Sequence, residues 1–362
     1  MTCEAVSLGE LAHIVGQQQS AASPRGLINY PTSKRDLADN IVLACGECHA
    51  EIDDPATLDM FTVQKLREAK RNHEERIKHV TGLGGDRRTV VLRMIGQLRG
   101  RPLELAQRTA VEAVLASGDR FPYFKLSYDR YGIEIDLRQL PGESSTVDDE
   151  FGGQSAPTVE YYRAAKSMID QVVDNALNDG LKKGHVDHVS VFAFARLPLL
   201  VYLGRKLGDG YGVDFYQRHQ TTDSWVWPNA ESPVDFTVDM PEAAAGAEAV
   251  LLASISGTVH ENEIPESLKR YPVFRIQPID RTPAGGIIDS RATLENLRVT
   301  FRKFFGELEK RHKNIVRLHL FGALPISAAI ALGRVRDPVI QPSIVTYDRV
   351  DYGSYRRALE IR

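Results

Sequence analysis

The chain has 362 residues, a net charge of −3 and 43% hydrophobic residues, which is typical of a globular protein with room for two or three domains. No run of 18 apolar residues occurs, and the first 30 residues lack a basic stretch followed by an apolar one, which excludes a membrane span and a secretion signal. All three cysteines lie within the first 48 residues, which argues against a disulfide framework and predicts a cytoplasmic protein.

The N-terminal region contains two short β-prone runs separated by a polar segment. The first run covers residues 11–15 and would present His13 on one face of a strand. Histidine titrates near neutral pH, so His13 suits a general base that deprotonates a water molecule. Residues 16–39 are predicted to form a loop. Asn40 precedes the second run, residues 41–43, where its amide could orient the base or hold a scissile phosphate.

A CxxC pair and a histidine follow the second run. Cys45 and Cys48 have the spacing at which two thiolates share one tetrahedral Zn²⁺. His49 comes next, and its imidazole could bind a divalent metal that neutralises a phosphate. The alternative is a purely structural zinc knuckle or a pair of buried thiols.

Together these residues resemble the HNH endonuclease motif, which has a ββα-metal fold, and the resemblance covers a predicted domain over residues 1–82. It implies that His13 is the general base, Asn40 the middle Asn, and His49 the ligand of a catalytic Mg²⁺ or another divalent metal. Family members with zinc carry two CxxC pairs, whereas this chain adds only Cys3, so His73, His79 or a water completes the set, or no zinc is bound. Ala12 stands where many members have a metal ligand, and either Glu10 or Asp53 could compensate.

A basic helix and a linker are predicted next. Residues 62–80 have helical periodicity, and residues 81–86 form the best linker candidate. Between Lys65 and Arg108 there are twelve Lys or Arg residues and five Asp or Glu residues, which could track a phosphate backbone; the alternative is a solvated helix face. The cations that could do so are Arg67, Lys70, Arg71, Arg87, Arg88, Arg93, Arg99 and Arg101.

The rest of the chain predicts an α/β fold. Residues 88–115 are predicted to be mostly helical, and residues 141–157 to form a loop. Short apolar β-runs then alternate with helices, which predicts a mainly parallel sheet covered by helices. The predicted strands are 189–195, 213–216, 250–255, 273–276, 316–321 and 344–347, and the predicted helices are 198–207 and 293–312.

This alternation includes a diverged internal repeat. Each copy is a strand, a Leu-Pro pair at the start of a helix, a Leu-Gly-Arg at its end, and a second strand with a Tyr near its end. The alternative is coincidence, because many α/β proteins share this order. Two fused Rossmann-like units would place strand carboxyl ends and helix N-termini around one crevice that suits phosphates. The candidate ligand residues there are Arg196, Ser254, Ser256, Gly257, Thr258 and Tyr347, with Trp225 and Trp227 stacking on a purine or, alternatively, packing in the core.

Residues 87–362 resemble the SAVED domain, a fusion of two CARF-like Rossmann-like units, here with halves of about 87–232 and 233–362. The resemblance rests on the repeat, on residues 223–228 and on residues 342–348. An HNH domain followed by a SAVED domain resembles the CBASS antiphage effector nucleases. This implies a homo-oligomer, from dimer to tetramer, that degrades double-stranded DNA when a cyclic dinucleotide, such as one of the cyclic GMP-AMP type, binds. The alternatives are a restriction-type HNH nuclease that recognises modified DNA, and a non-catalytic receptor with a structural zinc knuckle.

Overall fold

The computed structural model describes residues 9–82, 88–98, 101–102, 105–118, 120–123, 132–143, 157–178, 187–208, 210–219, 222–228, 232–242, 244–351 and 354–362. The chain divides into two compact units, Met1–Gly84 and Gly85–Arg362. None of the described helices is both long enough and apolar enough to cross a lipid bilayer.

The described residues of the N-terminal unit form an antiparallel pair of strands, two α-helices and two short 3-10 helices. Its elements are β1 (Glu10–His13), β2 (Ile41–Ala44), α1 (Gly46–Asp53) and α2 (Val63–Gly82). His13 lies opposite Ile41 in the register of the two strands. Ala12 is buried with Ile52 of α1 and Leu66 of α2 in a small core. The two predicted strands and the predicted helix over residues 62–80 are therefore all present.

The first sheet of the C-terminal unit is entirely parallel. Its strands are β3 (Arg88–Ile95), β6 (Phe121–Tyr123), β7 (Ile133–Asp136), β8 (His188–Phe194) and β9 (Gly212–Phe215). A small antiparallel pair consists of β4 (Gln97–Leu98) and β5 (Arg101–Pro102), and the helices are α3 (Gln107–Ala116), α4 (Val159–Val172) and α5 (Leu197–Leu207). Strand β3 pairs with β8 on one side and with both β6 and β7 on the other.

The position of β3 corrects the prediction that residues 88–115 are mostly helical. The first eight of these residues form a strand, and the helix covers only Gln107–Ala116. Val91, Leu92 and Met94 are completely buried, because a parallel sheet is covered on both faces and its strands need not alternate in polarity. A continuous apolar run of this kind does not distinguish a strand from a buried helix. Of the predicted loop over 141–157, residues 144–156 lie outside the described residues.

The second sheet is mixed. Its strands are β10 (Phe236–Asp239), β11 (Glu248–Ser254), β12 (Val273–Pro278), β13 (Arg317–Ala323), β14 (Ser343–Asp351) and β15 (Ser354–Ile361), and its helices are α6 (Arg291–Arg311) and α7 (Ile326–Val335). The order is β10-β12-β11-β13-β14-β15, in which the four inner strands are parallel and the two edge strands antiparallel. The predicted mixed α/β architecture with mainly parallel sheets is confirmed.

Helices α5 and α7, which belong to the two copies of the repeat, pack directly against each other. A Cβ atom on Gly204 would lie 1.9 Å from the carbonyl oxygen of Ile330, and one on Gly333 would lie 1.9 Å from that of Val201. The contact is reciprocal, because each glycine meets the carbonyl three residues before the other. One continuous hydrophobic core includes residues of both sheets and both helices. The repeat seen in the sequence is therefore a repeat of structure.

Candidate functional site

The first candidate site surrounds His49 at the start of α1. Cys45 is the N-cap of this helix, and its Sγ accepts a hydrogen bond from the backbone N–H of Cys48 at 3.5 Å. The helix directs His49 towards β1, where its Nδ1 lies 2.7 Å from Oε2 of Glu10. Its Nε2 lies 3.3 Å from Oδ2 of Asp53, one turn further along the helix. Both carboxylates that were alternatives in the sequence therefore contact His49.

Arg25 holds this arrangement together. Its guanidinium donates to the carbonyl oxygens of Ile14 and Ile52 at 2.7 Å, to that of His13 at 3.1 Å and to Oδ1 of Asp53 at 2.8 Å. Only 5% of the side chain is exposed. The buried guanidinium thus joins the end of β1 to the end of α1. The backbone of Arg25 adopts the left-handed conformation, with φ of 57°.

His13 stands at the end of β1 and is partly exposed. Its Nε2 lies 3.0 Å from Oδ1 of Asp36, and 22% of the His13 side chain is exposed compared with 69% for Asp36. A carboxylate in this position accepts a hydrogen bond from the N–H of one ring nitrogen of a neutral imidazole, which leaves the other ring nitrogen able to accept a proton. Sequence reasoning missed Asp36, because nothing in a polar loop indicates which carboxylate folds back onto a strand 23 residues earlier.

Asn40 is 1% exposed and makes its hydrogen bonds to the backbone. Its Nδ2 donates to the carbonyl oxygens of Val15 and Arg35 at 2.7 and 2.8 Å, and its Oδ1 accepts from the backbone N–H of Val15 at 2.9 Å. Of the two roles predicted for Asn40, this geometry fits orientation of the segment that follows His13. It does not fit direct contact with a phosphate, because the buried amide is fully used.

The side chains around α1 include the residue types that bind divalent metal ions. An imidazole with two carboxylates is a donor set that divalent ions accept, but both nitrogens of His49 face carboxylates here. Cys45 and Cys48 are exposed; the backbone N–H of Cys48 lowers the pKa of Cys45, and the hydrogen bond with Cys45 raises the pKa of Cys48. Cys3 lies outside the described residues. Within the described ranges, no group of three or more His, Cys, Asp or Glu side chains is arranged to hold a metal ion.

In the C-terminal unit, four of the eight predicted ligand residues are buried and have partners inside the protein. Arg196 precedes α5 and is 7% exposed, and its Nη1 donates to Oδ2 of Asp348 at 3.0 Å. The hydroxyl of Tyr162 donates to the same oxygen at 2.6 Å. Arg196 therefore joins the end of β8 to β14 of the other half through Nη1, while its Nε is buried and has no hydrogen-bond partner in the described part of the chain.

The other three are Trp225, Tyr347 and Ser254. Trp225 is 1% exposed and packs edge-to-face on Phe192 at 5.5 Å between ring centres, so the core-packing alternative describes it. Tyr347 stacks on Phe321 at 4.3 Å, and its hydroxyl lies 2.9 Å from Nδ1 of His319. Ser254 is 7% exposed, and its hydroxyl accepts from the backbone N–H of Val259 at 3.0 Å. All three side chains are buried and contact other residues of the C-terminal unit.

The remaining predicted residues lie at the carboxyl edge of the second sheet or beside it. Ser256 and Gly257 are partly exposed, Thr258 is exposed and Trp227 is partly exposed. The backbone N–H of Ser256 donates to the carbonyl oxygen of Ala323 at 2.8 Å, three residues before α7 begins. Trp227 and Ile326, the first residue of α7, both pack against the buried cluster that includes Phe192 and Tyr216. Ser256 contacts the segment that leads into α7 directly, through Ala323.

His219 and Gln217 follow β9 of the first sheet, and sequence reasoning missed both. The ring of His219 packs edge-to-face on that of Trp227 at 5.2 Å. Nε2 of His219 and Nε1 of Trp227 are buried and have no hydrogen-bond partner in the described part of the chain. Burial lowers the pKa of His219 and so favours the neutral form of its ring. Oε1 of Gln217 accepts from the backbone N–H and the hydroxyl of Ser327, at 3.2 and 3.0 Å.

The position of these residues was a usable signal. Residues 217–219 follow directly after β9, and polar residues at the carboxyl ends of parallel strands are ligand candidates. Two buried nitrogens that have no partner in the described part of the chain, beside a partly exposed indole ring, make His219 and Trp227 candidates for contact with a ligand.

The comparisons with known proteins agree with a sensor domain. A family model described as "SMODS-associated and fused to various effectors sensor domain", or SAVED, matches residues 169–361. No curated protein matches the chain.

The chain is similar to a solved structure of the Acinetobacter baumannii Cap4 SAVED/CARF-domain containing receptor with the cyclic trinucleotide 3′3′3′-cAAA. The two are 18% identical, with a TM-score of 0.46 and coverage of 65% of this chain and 49% of that one. The same receptor with the cyclic trinucleotide 2′3′3′-cAAA is 15% identical, with a TM-score of 0.45 and coverage of 84% of this chain and 60% of that one. The Moraxella osloensis Cap4 SAVED/CARF-domain containing receptor is 14% identical, with a TM-score of 0.42 and coverage of 76% of this chain and 50% of that one. The chain thus spans about half to three fifths of the length of these structures.

Proposed function

Because the chain belongs to the SAVED family of sensor domains, we propose that it is a cyclic-oligonucleotide receptor that gates a metal-dependent DNA endonuclease in antiphage defence. The sensor half of this proposal rests on the family and on the carboxyl edge around Trp227. The nuclease half rests on the side chains around His13 and His49 in the N-terminal unit.

The observation that carries the sensor is the pair of buried nitrogens on His219 and Trp227, which have no partner in the described part of the chain. A buried polar group without a partner costs about 1–3 kcal/mol, and a ligand acceptor would recover this. Bases and phosphates supply such acceptors, and the partly exposed ring of Trp227 can stack on a base. The proposed ligand is a cyclic dinucleotide, of the cyclic GMP-AMP type, which is bound and not consumed.

In the proposed nuclease, His13 takes a proton from the attacking water. Asp36 accepts a hydrogen bond from Nε2 of His13 and so keeps Nδ1 available as the base. Asn40 holds the backbone beyond β1, and Arg25 holds β1 against α1, so the His13 ring is kept in one place relative to His49. Proximity of this kind accounts for a large part of the rate in positioned reactions.

His49 with Glu10 or Asp53 would hold a divalent cation, for which Mg²⁺ is the first candidate. The bound ion would neutralise charge on the phosphate. One nitrogen of His49 must exchange its carboxylate for the ion, and Arg25 remains as the partner of Asp53 when that happens. Zn²⁺ held by Cys45 and Cys48 would need further ligands, and Cys3 is the remaining cysteine.

One observation favours a second function, that of a receptor with a non-catalytic N-terminal unit. Both ring nitrogens of His49 already face carboxylates, which is a complete set of partners for a structural histidine. In that case the unit would transmit the signal without cutting DNA.

The test incubates the full chain with plasmid DNA, Mg²⁺ and a panel of cyclic dinucleotides and trinucleotides. The panel includes 3′3′3′-cAAA and 2′3′3′-cAAA, the ligands named for the Cap4 receptor. DNA should be degraded only with a cognate ligand. His13→Ala should abolish cleavage and leave ligand affinity unchanged, whereas Trp227→Ala should abolish ligand binding.

Three results would overturn parts of the proposal. Cleavage without any ligand, or cleavage that depends on DNA methylation, would point to a restriction-type enzyme. Ligand binding without cleavage, unchanged in His49→Ala, would point to the non-catalytic receptor. Absence of binding to every member of the panel would refute the sensor.

A further inference from the structure

The N-terminal unit has a groove that neither site above uses. It is about 360 Å³ in volume and lies between α2 and the segment that connects β1 to β2. It is lined by Tyr30, Asp39, Arg67, Lys70, Arg71 and Glu74, and is called the basic groove below. We propose that the basic groove binds the backbone phosphates of duplex DNA and so determines which phosphodiester bond of the DNA lies at His13. This deepens the proposed nuclease function and rests on it.

The charges in the groove favour an anion. Lys70 and Glu74 form an ion pair at 2.5 Å and cancel each other. Two guanidiniums, those of Arg67 and Arg71, then face one carboxylate, that of Asp39. Neither guanidinium has an acidic partner in the described part of the chain, and both side chains are exposed. Two arginines that have no acidic partner in the described part of the chain are poorly explained as a charge-paired helix face.

The ring of Tyr30 orients the guanidinium of Arg67 for binding to a phosphate. The guanidinium carbon of Arg67 lies 5.6 Å from the centre of the Tyr30 ring, which is within the range of a cation–π interaction. This stacking restricts the guanidinium while leaving its N–H groups to donate. Arginine binds phosphate through two parallel hydrogen bonds, and a guanidinium that is already oriented loses less entropy on binding.

The groove is close to the proposed base. Nζ of Lys70 donates to the carbonyl oxygen of Ile41 at 3.0 Å, and Ile41 lies opposite His13 in the strand register. Residues opposite each other in an antiparallel pair have Cα atoms about 4.5–5.5 Å apart. The groove therefore contains a side chain that is hydrogen-bonded to the residue directly opposite His13. A phosphate held there would fix which phosphodiester bond reaches His13.

The test measures binding of a 30-base-pair duplex by fluorescence anisotropy in EDTA, with no cleavage. The full chain is studied alone and with each cyclic nucleotide of the panel, at several salt concentrations. Arg67→Ala/Arg71→Ala should weaken duplex binding about ten-fold and reduce the slope of log affinity against log salt by about two, since each phosphate contact contributes nearly one. Arg76→Ala is the matched control, because Arg76 is an exposed arginine of the same helix outside the groove, and it should bind as the wild type does.

The proposal is overturned if the double variant matches the wild type in affinity and salt slope in every state. It is also overturned if the wild type binds no duplex in any state, or if 5′-AMP displaces the duplex at micromolar concentration, which would make the groove a mononucleotide site. Failure of the nuclease proposal looks different. In that case the wild type and His13→Ala bind duplex through the groove equally, and neither cuts it when Mg²⁺ is restored.

Discussion

The packing of α5 on α7 predicts a large and specific effect of alanine at Gly204. A Cβ atom there would lie 1.9 Å from the carbonyl oxygen of Ile330, whereas ordinary contacts begin at 3.4 Å. The oxygen belongs to a helix backbone and cannot rotate away. The two helices would therefore have to separate by about 1.5 Å, the difference between those distances, in a core that has little free volume.

The size of the effect follows from two opposing contributions. Overpacking of a rigid core costs up to about 3 kcal/mol, occasionally more, while alanine is better than glycine inside a helix by about 1 kcal/mol. Gly204→Ala should therefore lower the free energy of unfolding by about 2 kcal/mol or more. Gly306 is the matched control, because it lies inside α6 and a Cβ there would meet nothing within 4 Å. Gly306→Ala should raise the free energy of unfolding by about 1 kcal/mol.

Urea unfolding followed by tryptophan fluorescence measures both variants. The two tryptophans of the chain, Trp225 and Trp227, lie in the C-terminal unit, so the signal reports that unit alone. The sign of the effect should differ between the two variants. Equal midpoints for Gly204→Ala and the wild type, with Gly306→Ala stabilised as predicted, would refute the reciprocal contact between the helices.

Three further predictions concern single side chains. Arg25→Ala leaves Asp53 and three carbonyl oxygens without their donor, so the free energy of unfolding of the N-terminal unit should fall by about 3–5 kcal/mol. Amide hydrogen exchange over residues 9–82 should become faster, and unchanged exchange would show that Arg25 does not hold β1 and α1 together. Burial lowers the pKa of His188 to about 4, so the unfolded state takes up the proton first and stability should fall by about 3 kcal/mol between pH 6.5 and pH 4. His188→Gln should flatten this dependence in urea unfolding, and an unaltered profile would show that another group is responsible. Asp36→Ala should slow ligand-activated DNA cleavage roughly 100-fold with unchanged ligand affinity, whereas an unchanged rate would remove Asp36 from the proposed mechanism.

The N-terminal elements could be predicted from sequence because their signals are local. Two β-prone runs, a CxxC-His segment and a periodic helix each occupy 20 residues or fewer. The partners of His13 and His49 were harder to predict, because Asp36 lies 23 residues and Glu10 39 residues away along the chain. The sequence suggested Glu10 or Asp53 as the metal ligand that compensates for Ala12, and folding brings both carboxylates to His49.

The ligand residues of the C-terminal unit were less predictable, for a physical reason. A strand end and an aromatic residue are visible in the sequence, but the direction in which each side chain points depends on packing between the two halves. Arg196 turns inward because Asp348 of the other half supplies a buried partner. Trp225 and Trp227 are two residues apart, yet the first is in the core and the second is at the edge. Residue type alone could not separate them.

The proposed ligand site is built from both halves of the C-terminal unit, and this limits how a ligand could activate the protein. His219 and Trp227 come from the first half, and Gln217 joins them to Ser327 of the second. Moving a two-state equilibrium from 1:99 to 99:1 requires about 5.5 kcal/mol of preference for one state. Satisfying one buried nitrogen recovers at most about 3 kcal/mol, and satisfying both recovers up to about 6. A cyclic nucleotide that reaches only one of the two nitrogens is therefore expected to bind without activating cleavage, unless it gains further contacts that exist only in the active state.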